Sequence, residues 1–175
     1  MSSETIPDEK ACLEILRKAG CSQEVIAHTL FVKEVALKIA SKCKQPVNIE
    51  LLVAGAILHD IGRAITHGVA HGVKGGEIAR RFGLDERIVR IIERHVGGGI
   101  TREEAIKLGL GNEPLVPETL EEKIVCLADK LIAHDRIAGI EEEVKKLEEK
   151  GLHSAAERVM TLYREIVGLC GELEF

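Results

Sequence analysis

The chain has 175 residues, 45% of them hydrophobic, 30% charged and only 2% aromatic, with a formal net charge of -5. That length suits one domain with a continuous core, and a core poor in aromatics must be built from Leu, Ile, Val and Ala, which favours packed helices over a sheet. Net negative charge gives no support for broad binding along a nucleic-acid duplex, although a local basic pocket for a small nucleotide stays open. The longest apolar run, Leu51 to Leu58, is too short to cross a bilayer, and the polar start from Met1 to Asp8 does not read as a signal peptide.

In chain order, Pro7 suits a first helical turn, and Cys12, Ile15, Leu16 and Ala19 form the apolar face of a short helix closed by Gly20. Ser22 is an N-cap for a long second helix faced by Val25, Val32, Val35, Ala36 and Ile39. His28 lies on that face, where a lone histidine is commonly a satisfied core residue. Pro46 and Asn48 then separate this helix from a central stretch, Leu51 to Arg63, expected to stay helical to about Gly62.

In that stretch Leu52, Ala56 and His59 share one line and Val53, Ile57 and Asp60 the next, so both polar residues continue buried stripes. A buried carboxylate without a partner is costly, so Asp60 should be protonated, ion-paired or metal-bound. A His–Asp hydrogen bond that only tethers a helix end is the plain alternative.

The link from Arg63 to Gly72 carries His67 and His71, of which His71, nearer the next helix (Val73 to Phe82), is the better ligand candidate. Gly83 ends that helix, Asp85 caps the next, and His95 continues its Ile88, Ile91 and Ile92 stripe. Gly97, Gly98 and Gly99 read as a flexible helix exit; no Walker-type lysine follows to make them a phosphate cradle. Thr101 with Glu104 and Thr119 with Glu122 are capping boxes flanking the longest loop, 109–117. The second box opens a helix expected to face Val125, Ala128 and Ile132 inward, with Asp129 among them. Glu141 with Lys145 and Glu142 with Lys146 mark a solvated face, and Ser154 with Glu157 is expected to cap a last helix packed through Val159, Leu162, Ile166 and Leu169. His134 and His153 are read as surface residues or as supports behind the ligands. The five cysteines, Cys12, Cys21, Cys43, Cys126 and Cys170, are odd in number and lack a Cys-x-x-Cys, which reads as reduced thiols in a cytoplasmic protein.

Collected, His28, His59, Asp60, His71, His95 and Asp129 make a nitrogen and oxygen set large enough for two cations. Their order resembles the HD-domain superfamily of metal-dependent phosphohydrolases over about Ser22 to Arg136. Within it, His59-Asp60-Ile61-Gly62-Arg63, His71-Gly72-Val73-Lys74-Gly75, His95-Val96-Gly97-Gly98 and Leu127-Ala128-Asp129-Lys130 are similar to the YqeK-like group, which hydrolyses diadenosine tetraphosphate symmetrically. Arg63 in place of the usual lysine, the extra His67 and a segment 130–135 without Glu-Pro depart from that group.

The resemblance implies an all-α, HD-like bundle in a single domain, 1–175, with helices over 138–172 packed on the motif-bearing core. It implies His28, His59, Asp60 and Asp129 on one divalent metal and His71 and His95 on a second, with Asp60 bridging. Iron is favoured, while manganese, cobalt, zinc and nickel also suit the ligands. The implied reaction cleaves a phosphoester or phosphoanhydride of a small nucleotide-like substrate through a water bridging the two metals. Arg63, three residues past Asp60, is the first phosphate-binding candidate, with Lys74, Lys130 and Arg136 behind it, each otherwise a solvated surface charge. His67 is a candidate proton donor or ligand-orienting residue. A catalytically silent nucleotide- or metal-binding module, or a di-iron oxygenase, are the alternatives, and a homodimer is compatible with all three.

Overall fold

A computed structural model describes residues 5–175. Asp8, Ser22, Asn48, Asp85, Thr101 and Thr119 each accept a backbone N–H with the side chain at a helix start, the last two in full capping boxes. They open α1 (Glu9–Ala19), α2 (Gln23–Lys42), α3 (Ile49–Leu58), α5 (Glu86–Glu93), α6 (Arg102–Lys107) and α7 (Leu120–Lys130). The remaining helices are α4 (His71–Arg81), α8 (Ile140–Glu149) and α9 (His153–Cys170). Pro7 therefore stands just before the cap of α1, and α9 begins at His153 behind Leu152 rather than at a Ser154 cap.

The centre is α3, whose sequence is apolar almost all round; such a helix has no solvent face to offer and is stable only when surrounded. It packs against α1, α2, α5 and α7. Gly55 brings α5 close: a Cβ there would stand 2.5 Å from Ile91 Cδ1. One buried apolar cluster runs from Cys12 to Cys170 through all of these helices, and α8 and α9 pack on each other, with α9 also against α7 and α2. The all-α bundle expected from composition is what forms. Among the described residues no helix is long and apolar enough to cross a membrane.

Four local expectations are corrected. The central helix stops at Leu58, and Ile61–Ala64 continues as a 3-10 turn. The next helix with an inward acid ends at Lys130, so Ile132 lies in a two-stranded antiparallel hairpin, β1 (Ile132–Ala133) with β2 (Arg136–Ile137), whose turn holds His134 at φ 59°. Gly97 to Gly99 are not a loose exit: Gly97 and Gly99 form a bridge, and a Cβ on Gly98 would meet Val159 N of α9 at 2.7 Å. On α8 the ion pairs run Lys146–Glu143 at 3.8 Å and Lys145–Glu149 at 3.9 Å, because Arg136 takes Glu142.

The thiol reading is also corrected. Cys43, directly after α2, and Cys170, which ends α9, are joined by a disulfide, leaving Cys12, Cys21 and Cys126 free. Their separation of 127 residues hides the pairing from any spacing argument, and a cytoplasmic location loses its thiol support. Denatured, unreduced protein should titrate three thiols, rising to five on reduction. Reduction, or Cys43→Ser with Cys170→Ser, should remove about 2 to 5 kcal/mol of stability and lower the melting temperature by on the order of 10 °C. An unchanged melting curve with five titratable thiols would show that the bond does not form.

Candidate metal centre

Five helices and their ends converge on one point. His28 is on α2, His59 ends α3, Asp60 enters the 3-10 turn, His71 opens α4, His95 follows α5 and Asp129 precedes the last residue of α7. A Cβ on Gly62 would stand 1.7 Å from the carbonyl oxygen of His71 and 2.7 Å from Gly75 N, so only a glycine lets the turn beneath Asp60 meet the start of α4. Gly75 of α4 lies between the same turn and α5: a Cβ there would stand 2.6 Å from Ile92 Cγ2 and 3.1 Å from Gly62 N.

His59, Asp60, His71 and His95 are buried, whereas His28 and Asp129 are partly open. The two oxygens of Asp60 divide the histidines. Oδ1 lies 3.3 Å from His71 Nε2 and 3.2 Å from His95 Nε2, while Oδ2 lies 3.5 Å from His28 Nε2 and 3.6 Å from His59 Nε2. Asp129 Oδ1 completes the second set, 2.9 Å from His28 Nε2 and 3.5 Å from His59 Nε2.

The ring tautomers follow from the backbone. His59, His71 and His95 each place Nδ1 on a carbonyl, those of Ala56 at 2.6 Å, Gly68 at 2.8 Å and Ile92 at 2.6 Å. A carbonyl only accepts, so Nδ1 carries the hydrogen and Nε2 presents a lone pair. The Nε2 atoms of His71 and His95 then face each other at 3.0 Å, two acceptors with no donor between them in that tautomer. Among the described residues, His59 Nε2 is a buried side-chain atom with no hydrogen-bond partner. Each such orphan costs about 1 to 3 kcal/mol unless something electron-poor joins it, and a divalent cation fits the whole donor set.

The electrostatics call for positive charge at the same point, which either protonated imidazoles or a cation would supply. Burial works against ionisation of Asp60, but His59, His71 and His95 hold its carboxyl well below the usual carboxylate range. Burial likewise opposes the charge on Asp129, and Lys130, His28 and His59 outweigh it, again holding the carboxyl low. Burial pushes His95 down to about 4, which keeps the imidazole neutral as a ligand must be. At His59 burial is outweighed by Asp60 and Asp129, and the pKa rises: the carboxylates call for positive charge at that spot.

The remaining candidates divide. Arg63 reaches Asp60 Oδ2 with Nε at 3.1 Å and gives Nη1 to the His67 carbonyl at 3.3 Å. Lys130 is buried rather than solvated, with Nζ 2.5 Å from Asp129 Oδ2 and 3.0 Å from the His95 carbonyl. Both line an open cavity of about 780 Å³ beside the cluster. The structure does not bring His67, Lys74 or Arg136 into that lining. His67 is exposed, Lys74 pairs with Glu77 at 3.3 Å and Arg136 with Glu142 at 2.8 Å. Sequence reasoning missed Lys107, Lys146, Lys150 and Arg158, which line the cavity. Taken singly, each reads as an ordinary helix-surface charge.

The HD domain family profile matches residues 25–134, which contain all six clustered residues. The chain belongs to the HD domain family. This HD protein is 46% identical over 167 residues to a tRNA (cytidine(56)-2'-O)-methyltransferase of Thermoplasma volcanium, covering 95% of the chain and 49% of the relative, with a like match in Picrophilus torridus. The chain thus spans about half the length of those relatives. It is also 46% identical to an uncharacterised protein of Methanocaldococcus jannaschii, covering 92% of the chain and 97% of that protein. In fold it is similar to the HD domain of the L. monocytogenes phosphodiesterase PgpH, with a TM-score of 0.56 at 15% identity over 90% of this chain and 95% of that one.

Gly62→Ala should therefore force α4 away from the turn below Asp60 and destabilise by about 1 to 3 kcal/mol or more. Gly168→Ala, in α9 with nothing within 4 Å of its Cβ, should be neutral or stabilise by up to about 1 kcal/mol. Urea denaturation of both compares them directly, and equal midpoints would refute the close approach.

Proposed function

We propose that this HD protein is a metal-dependent phosphohydrolase that cleaves a phosphoester or phosphoanhydride bond of a nucleotide-like substrate, the chain of 175 residues acting as one unit. The observation that carries the reading is the partition around Asp60, one carboxylate oxygen toward His71 and His95 and the other toward His28 and His59. On this reading His28, His59, Asp60 and Asp129 hold one divalent cation and Asp60, His71 and His95 a second. The HD family match and the likeness in fold to a phosphodiesterase domain support that kind of chemistry.

Divalent cations held by these residues would supply an activated water and positive charge for the attacking and leaving oxygens. The chain's own groups do the rest. Asp60 and Asp129 stay ionised, and the carbonyls of Ala56, Gly68 and Ile92 hold the rings of His59, His71 and His95 with Nε2 inward. Lys130 holds Asp129 in place and offsets its charge. Arg63 faces the cavity and grips a phosphate oxygen that touches no metal. The new bond joins the water oxygen to phosphorus as the water gives up a proton to solvent, the bond from phosphorus to the leaving oxygen breaks, and that oxygen takes up a proton from solvent, with the exposed His67 as the candidate donor.

Iron is the cation we favour, followed by manganese, cobalt, zinc and nickel, and a YqeK-like dinucleoside polyphosphate is the substrate we would test first. One observation favours a second reading: two relatives named for methyl transfer to tRNA are about twice as long as this chain, which suits a unit that binds a phosphorylated ligand without turning it over. Phosphate release with added metals separates the two.

Asp60→Ala should lose bound metal and nearly all turnover, since it removes an oxygen from each cation. Arg63→Ala should keep metal near the parental level and lose on the order of 2 to 4 kcal/mol in kcat/KM, with Arg63→Lys recovering part of it. His71→Ala and His95→Ala should each halve the metal content. Metal stoichiometry and kcat/KM measured on these variants together decide the matter, and an Arg63→Ala protein empty of metal, or fully active, would sink the role given to Arg63.

A further inference from the structure

The cavity beside the cluster inverts the charge of the molecule. Acids outnumber bases 29 to 24 in the chain, yet of the nine Lys, Arg, Asp and Glu side chains lining the cavity, six are cationic. Arg63 and Lys130 belong to the cluster side. Lys107 ends α6, Lys146 lies in the last turn of α8 and Lys150 directly follows it, and Arg158 is on α9. These elements form one wall, because Arg158 gives Nη2 to Glu104 of α6 at 2.8 Å and Nε to the Gly99 carbonyl at 3.2 Å.

Arg158 is thereby committed, but the lysines are not. Lys107 and Lys150 make no ion pair among the described residues, and Lys146 has only Glu143 at 3.8 Å. Lys146, Lys150 and Arg158 also lie beyond residue 134, where the HD match ends, so the α8 and α9 part of this wall lies outside the matched region while Lys107 lies within it. The lining is mixed rather than uniformly polar: Val96, Ile100, Leu108, Ile132, Leu147 and Leu152 give it aliphatic surface. With 2% aromatics in the chain, a flat ring held here would lie against aliphatic side chains. The first turn of α9 borders the same space through His153, Ser154 and Ala155, and Leu152 ahead of it gives no side-chain cap.

We propose that Lys107, Lys146 and Lys150 form a second anion subsite, which favours, over a dinucleoside polyphosphate with all its phosphates between the two nucleosides, a nucleotidyl compound with a phosphate on each side of one nucleoside, as in a cyclic or 5′-phosphorylated dinucleotide. One phosphate lies at the His–Asp cluster, the other meets the lysines, and the base and sugar fill the aliphatic part between the walls. The inference rests on the phosphohydrolase reading for the first phosphate only. A volume of about 780 Å³ is within the usual range for a small-ligand site and admits more than a lone phosphate.

The test is calorimetric titration of the full chain, stripped of metal, with adenosine 3′,5′-bisphosphate and with adenosine 5′-monophosphate. The bisphosphate should bind about 10-fold more tightly or better, and Lys107→Gln with Lys150→Gln should bring the two affinities to within about 3-fold of each other while leaving the melting temperature at the parental value. Equal affinities in the parent, no binding of either compound, or a preference that survives the double substitution would each overturn the subsite. Phosphate release is scored separately with metals restored. A preference without any turnover counts against the hydrolase reading alone, and turnover without a preference counts against the subsite alone.

Discussion

One interaction, repeated three times, sets the site. His59, His71 and His95 each donate Nδ1–H to the carbonyl three residues earlier, at Ala56, Gly68 and Ile92. Ala56 and Ile92 lie in the last turns of α3 and α5, where carbonyls lose their helical partners. The same bond therefore satisfies a helix end, fixes a tautomer and turns the second nitrogen toward the centre. Loss of this geometry would leave the rings free to rotate, and their second nitrogens would no longer point to the centre around Asp60.

The charges are arranged in pairs of unequal exposure. Asp60 is buried and Arg63, its nearest cation, is partly open to the cavity, while Asp129 is partly open and Lys130, its partner, is buried. Lys130 is further fixed by the His95 carbonyl, which ties the acid at the end of α7 to the histidine beyond α5. Its pKa is raised, since burial is outweighed by Asp129, so it stays charged throughout the ordinary pH range. The arrangement leaves Arg63 as the cation best able to change partners when an anion arrives.

Much of this was legible in the sequence. His59 and Asp60 were visible as polar residues continuing apolar lines, and the capping boxes at Thr101 and Thr119 marked helix starts that the structure keeps. Asp129 was legible for the same reason, as an acid on a buried stripe. Lys107, Lys146 and Lys150 were not, because a lysine on a solvated face and a lysine on a cavity wall have the same neighbours in sequence and differ only in what another helix brings opposite. The hairpin after Lys130 was hidden by Ile132 falling in step with the helix before it, and the tightness of Gly98 depends wholly on α9.

The bond between Cys43 and Cys170 encloses Asp60, Asp129 and every clustered histidine but His28 within one covalent ring. A single peptide cleavage in the exposed stretch near Gly109 to Glu113 would thus open the ring without parting it. The two pieces, each carrying some of the clustered residues, would stay tethered at the far ends of α2 and α9. Only a cut combined with a reductant would let the second half drift away from the first, so the fold joins its tolerance of nicking to the redox state of its surroundings.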